Sequence, residues 1–278
     1  MTNVPRKRAL LFDSGVGGLS VLDAIVDAGL AVDLDYAADN AWLPYGSKPD
    51  AALVQRVPAL IAALVREWTP DAVVIACNTA STIALAAVRD AVSIPVVGVV
   101  PPIKPAAAAT KTGVIGLLAT PATVARPYVD DLIAKFAADK TVVRFGSTAL
   151  VGAAERALAG APVDKSALAE AIAGLFEAPH GDRIDVVALA CTHFPLLAAE
   201  LAAAAPRAVT WLDSGAAIAA RLKTVADLGE GQARLRRAGF TGAMEPGLWS
   251  AFEGRGFSAR AVIGPHFSVA PAAGEGYG

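Results

Sequence analysis

Short β-branched apolar runs alternate with longer alanine-rich segments along most of this chain, and that alternation narrows the available folds more than any other feature. Runs over 9–12, 32–37, 72–76, 96–99, 113–118, 142–145, 186–190 and 209–212 read as buried strands. The intervals 19–28, 50–68, 81–92, 123–136, 165–176 and 195–205 carry helical patterns. Strands that are apolar almost throughout need cover on both faces, as in a doubly wound parallel sheet. Much of the 55% hydrophobic content is alanine, a strong helix former, which fits helices packed around such a sheet.

A weak internal repeat divides the chain. Val73-Val74-Ile75-Ala76-Cys77-Asn78-Thr79 and Val186-Val187-Ala188-Leu189-Ala190-Cys191-Thr192-His193 are both apolar strands that end in a cysteine, small polar residues and then a helix. Each follows an earlier strand ending in a small polar turn, at Asp13-Ser14-Gly15 and at Ala119-Thr120-Pro121. Asp13 lies 64 positions before Cys77 (77 − 13) and Thr120 lies 71 before Cys191 (191 − 120). The expectation is an α/β protein of two similar doubly wound parallel-sheet lobes, with Pro101-Pro102 as the hinge. Ligands of open parallel sheets bind beyond the carboxyl ends of the strands, so facing lobes would set the two cysteines on opposite walls of one cleft.

The bulk numbers exclude several functions. A length of 278 residues fits two domains. A formal net charge of −2 offers no basic field for nucleic acid or an anionic membrane. The apolar run after Arg6-Lys7-Arg8 is interrupted by Asp13 and is too short for a signal peptide. The longest apolar stretch, near 91–103, is broken by Pro95, Pro101 and Pro102 and does not read as a membrane span. The expected location is the cytoplasm. Gly15, Gly17 and Gly18 miss the dinucleotide spacing, and there is no Gly-Lys-Ser or Gly-Lys-Thr, so neither NAD nor ATP is indicated. Two thiols are too few for a structural zinc site, with only His180, His193 and His266 to add imidazole; no metal is expected.

The cysteines themselves have three readings: a disulfide, which a reducing compartment disfavours, inert core residues, or chemistry. Racemisation asks for proton removal on one face of a carbon and delivery on the other, and two thiols suit it because a free thiol has a pKa of roughly 8.5. Strand ends before helix N-termini offer N–H groups that favour a thiolate or bind a carboxylate. Asn78, Thr79 and Thr192 add donors, or act as helix caps, or both. If the chain is still extended after Cys191, His193 points to the same side and can tune or relay its proton; otherwise it is an ordinary histidine. Asp13 can bind an ammonium group or assist Cys77, or simply belong to a tight glycine turn. Pro44-Tyr45-Gly46 is a turn whose amides could hold a side-chain carboxylate, and Glu155 sits in an alanine-rich helix where a solvated position is the default.

Taken in order, Asp13-Ser14-Gly15-Val16-Gly17-Gly18-Leu19-Ser20, Pro44-Tyr45-Gly46, Ala76-Cys77-Asn78-Thr79-Ala80 and Cys191-Thr192-His193-Phe194-Pro195-Leu196-Leu197 resemble the glutamate racemases of the aspartate/glutamate racemase superfamily, with a weaker continuation at Phe240-Thr241-Gly242. The resemblance implies cofactor-independent interconversion of L- and D-glutamate, serving peptidoglycan synthesis and cell shape. It implies Cys77 and Cys191 as the acid/base pair, assisted by Asp13 and His193. Substrate contacts would come from Asp13, Ser14, Tyr45, Gly46, Asn78, Thr79, Thr192 and His193, with Glu155 an acidic residue associated with the site. It also implies a first lobe of 1–101 with 210–265 and a second of 102–209; a flexible tail over 266–278 and a homodimer are further expectations.

Trp42 stands where arginine is usual in that family, Phe194 replaces a common tyrosine, Ala190 a glycine and Ser147 a cysteine. None of these removes a base; Trp42 leaves the outer rim of the pocket open to question. An aspartate racemase of the same superfamily is the nearest rival reading. Some members of the family inhibit DNA gyrase, so a gyrase contact beside catalysis is another. A cysteine hydrolase would leave Cys77 and its matching strand unexplained.

Overall fold

The computed structural model describes residues 6–264; His266 and the tail expected over 266–278 lie outside the described residues. Among the described residues ten strands form two sheets, and every pairing between these strands is parallel. They are β1 (Arg8–Asp13), β2 (Asp33–Ala38), β3 (Ala72–Ile75), β4 (Val96–Gly98), β5 (Val114–Ala119), β6 (Thr141–Gly146), β7 (Val186–Ala190), β8 (Thr210–Leu212), β9 (Arg234–Phe240) and β10 (Ala259–Val262).

The larger sheet runs β10-β9-β2-β1-β3-β4 and the smaller β6-β5-β7-β8. Inside the larger sheet the run β2-β1-β3-β4 has the same winding as the whole of the smaller one: the first strand of each set lies between the second and the third. The internal repeat is therefore topological. Winding reverses between β1 and β3 in one sheet and between β5 and β7 in the other, and that reversal opens a crevice at the carboxyl ends. Cys77 follows β3 and Cys191 follows β7, so each thiol stands at the crevice of its own sheet.

Both faces of each sheet are covered, as the apolar strands require. Leu10 and Phe12 of β1 enter one core and Ala9 and Leu11 the other, the period-two alternation of a strand buried on both sides. Leu118 and Leu189 split from Leu117 and Ala188 in the same way. Each fully buried aliphatic side chain of this kind contributes roughly 1.5–3 kcal/mol.

Several expected boundaries move. The helix expected over 123–136 is two pieces, Pro121–Val124 and Pro127–Phe136, because Pro127 has no N–H to continue a helix and instead begins one. The helix expected from 81 begins at Asn78, which puts Asn78 and Thr79 in its first turn and makes Cys77 the cap. The segment over 195–205 opens as a 3-10 turn, Phe194–Leu197, before the helix Ala198–Ala204. β8 pairs with β7, so the chain leaves the smaller sheet after Leu212 rather than at the expected 210. Strands β9 and β10 show no apolar run, because β9 carries Arg234, Arg236 and Arg237 and β10 is a four-residue edge; only the family resemblance at Phe240-Thr241-Gly242 pointed to a strand there.

Candidate active site

The carboxyl ends of β1, β3, β5 and β7 border one cavity between the sheets that opens to solvent. Ser14, Tyr45, Gly46, Cys77, Asn78, Thr79, Cys191, Thr192 and His193 line it, nine of the eleven residues singled out from the sequence. Asp13 and Glu155 stand behind its wall, in contact with residues that line it. Both cysteines are free and buried, 6% and 7% exposed, which disposes of the disulfide reading.

Cys77 caps the helix Asn78–Ala91. Its sulfur accepts from the Ala80 N–H at 3.5 Å, and its thiol donates to the Ser14 hydroxyl at 3.6 Å. The helix terminus does not produce the expected low pKa. Burial, followed by the negative charge of Asp13, pushes the Cys77 thiol up to about 12, and the Ala80 and Ser14 contacts offset only part of that. Asp13 is itself fully buried. Its Oδ2 accepts from the Gly15 N–H at 3.1 Å and its Oδ1 from the Thr192 hydroxyl at 3.3 Å, across the cleft. Burial raises its carboxyl to about 6, against the opposing charge of His193 and the Gly15 N–H.

The other wall is built differently. His193 lies 3.8 Å from the Cys191 sulfur through Nδ1 and 2.8 Å from Glu155 Oε1 through Nε2. The meeting of Cys191 and His193 does not come from an extended chain: His193 has φ −73° and ψ −30°, and a turn brings the ring back to the sulfur. Burial opposes a charged imidazole here, but the Cys191 and Glu155 contacts outweigh it and hold the His193 pKa well above its ordinary value. Glu155 is not a solvated helix residue. Its side chain is 15% exposed, and the same Oε1 also accepts from the Val16 N–H of the opposite lobe at 2.9 Å.

That contact explains the glycine motif. A Cβ on Gly15 would collide with Glu155 Oε1, and one on Gly17 would lie 2.5 Å from both His193 Nδ1 and Thr192 Oγ1. These glycines let the second lobe approach, a role invisible to a reading confined to the local turn. Ser20 completes the seam by donating to the Thr192 carbonyl at 2.8 Å.

Two features were missed or misjudged in sequence. Thr120 and Thr123 line the cavity, with the Thr120 hydroxyl accepting from the Thr123 N–H at 3.3 Å; the repeat had matched Thr120 to Asp13 and was the signal for it. Leu43 rather than Trp42 faces the cavity, while Trp42 stacks on the Arg56 guanidinium at 4.4 Å. Asn78 Oδ1, at the cavity wall, is buried and has no hydrogen-bond partner among the described residues. Also among the described residues, no group of three or more His, Cys, Asp or Glu side chains is arranged to hold a metal ion, and no helix is long and apolar enough to cross a membrane.

The sequence pattern of the Asp/Glu/hydantoin racemase family matches residues 18–222. The chain is 55% identical over 229 residues to a glutamate racemase of Sphingopyxis alaskensis, covering 82% of this chain and 84% of that one. Its fold superimposes with a TM-score of 0.84 on a glutamate racemase of Escherichia coli solved with L-glutamate and the activator UDP-MurNAc-Ala, at 39% identity over 94% of this chain and 99% of the other. A glutamate racemase of Thermus thermophilus solved with β-chloro-D-alanine gives 0.74 at 30% identity, over 95% and 99% of the two chains.

Proposed function

The chain belongs to the Asp/Glu/hydantoin racemase family, and we propose that it interconverts L- and D-glutamate by a two-thiol, two-base mechanism and so supplies D-glutamate for peptidoglycan synthesis. The observation that carries this reading is the pair of thiols brought to one cavity from matched crevices of two sheets. Glutamate as substrate rests on the named relatives.

A thiolate on one face of Cα takes the α-proton, and the electron pair it leaves is delocalised into the α-carboxylate. The thiol on the other face then gives its proton to Cα, so the configuration inverts and thiol and thiolate have changed places. With the Cys77 thiol pushed up to about 12, Cys77 begins as the acid. His193, carrying a proton on each ring nitrogen, stabilises negative charge on the Cys191 sulfur and is itself held by Glu155. The carboxylate of Asp13 opposes a second negative charge on the Cys77 side, so it favours return of a proton to that sulfur.

Substrate fits the remaining groups. Asn78 Oδ1, buried without a partner, is an acceptor suited to the α-ammonium. The Thr79 hydroxyl is a donor for the α-carboxylate, and the Tyr45-Gly46 wall for the side-chain carboxylate. Purified protein without added pyridoxal phosphate, followed by circular dichroism on D- and L-glutamate and D- and L-aspartate, tests the assignment. Conversion of either glutamate enantiomer to an equal mixture, with aspartate far slower, is expected; turnover of aspartate alone would overturn it.

A further inference from the structure

Asp39 is buried at the end of β2, and its carboxylate collects donors from three separate parts of the chain. Oδ2 accepts from the Tyr45 hydroxyl at 2.7 Å and from Arg56 Nε at 2.6 Å. Oδ1 accepts from Arg56 Nη2 at 2.7 Å and from the Thr241 hydroxyl, just beyond β9, at 2.7 Å. The Asp39 N–H donates to the Asp13 carbonyl at 2.9 Å, which ties the cluster to the strand that carries Asp13. Arg56 lies on the helix Asp50–Trp68, with Trp42 stacked on its guanidinium. Of these side chains only Tyr45 reaches the cavity.

This network adds directional polar bonds to the apolar packing of the Tyr45 ring, which is buried with Phe12, Leu53 and Val57. A bidentate arginine–carboxylate pair is directional, and buried away from water it tolerates little displacement. The turn it holds is the wall opposite Thr120: a Cβ on Gly46 would lie 3.4 Å from Thr120 Oγ1 of the other lobe. Movement of Tyr45 therefore changes the length of the cavity directly.

Resting on the reading that the Tyr45-Gly46 wall receives the side-chain carboxylate, we propose that Arg56, acting through Asp39, is the positioning residue that sets the distance from that wall to the thiols and thereby selects glutamate over the one-methylene-shorter aspartate. One methylene is worth about 10-fold to 200-fold in selectivity at a fitted pocket. Arg56 does not line the cavity, so its removal changes binding and chain-length choice rather than the proton transfers.

Steady-state kinetics of Arg56→Met and Arg56→Lys on glutamate and aspartate test this. In Arg56→Met the glutamate KM is expected to rise about tenfold or more with kcat within about threefold, and the glutamate-to-aspartate ratio of kcat/KM to fall about tenfold. Arg56→Lys, keeping the charge but not the paired geometry, recovers part of both effects. Since Arg56→Met leaves the Asp39 charge buried without its partner, the double variant Arg56→Met with Asp39→Asn provides a folded counterpart and is expected to show the same KM rise. An unchanged KM and selectivity in the folded variants, or a loss confined to kcat, overturns the proposal. Norvaline, which lacks the distal carboxylate, separates the underlying reading from this one. If norvaline competes with wild type as tightly as glutamate binds, the carboxylate wall is misassigned and the proposal falls with it; if norvaline is weak yet the Arg56 variants keep their glutamate KM, only the role of Arg56 fails.

Discussion

Around Cys77 the sulfur meets a hydroxyl at 3.6 Å and a backbone N–H at 3.5 Å, whereas around Cys191 it meets an imidazole at 3.8 Å that is backed by a carboxylate at 2.8 Å. The two strands that deliver them share position in their sheets and winding order, so the backbone is a repeat and the electrostatics are not. One wall keeps a proton on its sulfur through burial and the Asp13 charge. The other supplies a positive partner that accommodates charge on its sulfur. Under the proposed two-thiol mechanism, a racemase built this way would start with its acid and its base already distinguished. Because the enantiomers of glutamate have equal free energy, kcat/KM must still be the same in both directions, and the asymmetry can emerge only in how kcat and KM divide that ratio.

The largest effect expected is from removing either sulfur. Cys77→Ala and Cys191→Ala should each lower racemisation by about 10³-fold or more, since each leaves one face of Cα without its acid/base group. Coupled-assay rates for both enantiomers check this, and an active alanine variant at either position would mean that the walls are not a working pair.

Next comes the cost of Asp13 to the fold. Its pKa is raised from 3.8 to about 6, so the folded state holds its proton more tightly than the unfolded chain does. The resulting stability is complete below pH 3.8 and is lost as pH rises through about 6. At pH 8 the ionised carboxylate then costs about 3 kcal/mol. Asp13→Asn should consequently raise Tm at pH 8 and lose that advantage near pH 4. A variant that gains nothing at pH 8 would show that the Gly15 and Thr192 contacts repay the burial.

The smallest effect sharpens the Cys191 side. Glu155→Gln removes one of the contacts that raise the His193 pKa, so that pKa should fall toward its ordinary range. The activity limb governed by the imidazolium then moves to lower pH, with a loss of about tenfold at neutral pH. An unshifted pH profile of kcat/KM would assign Glu155 to the lobe seam alone, through its bond to Val16.

The repeat, most strands and the contents of the cavity were legible because each is written in local runs: apolar segments, a cysteine at their end, and small polar residues after it. What was not legible depends on residues far apart. Arg56 and Thr241 reach Asp39 from 17 and 202 positions away, and Glu155 reaches Val16 from 139. The low pKa expected for Cys77 followed from its helix terminus, but burial outweighs one N–H at 3.5 Å. Likewise Cys191 and His193 were paired by assuming an extended chain, and meet instead through a turn.

In a two-thiol racemase each face of Cα has its own sulfur. Running the reaction from each enantiomer in deuterium oxide and analysing the first few per cent of conversion by mass spectrometry tests it most directly. Two opposed bases require the product to carry deuterium at Cα from its first appearance, while the unreacted substrate keeps its protium. Product that retains the substrate's own protium would instead require a single base serving both faces, and would contradict the account.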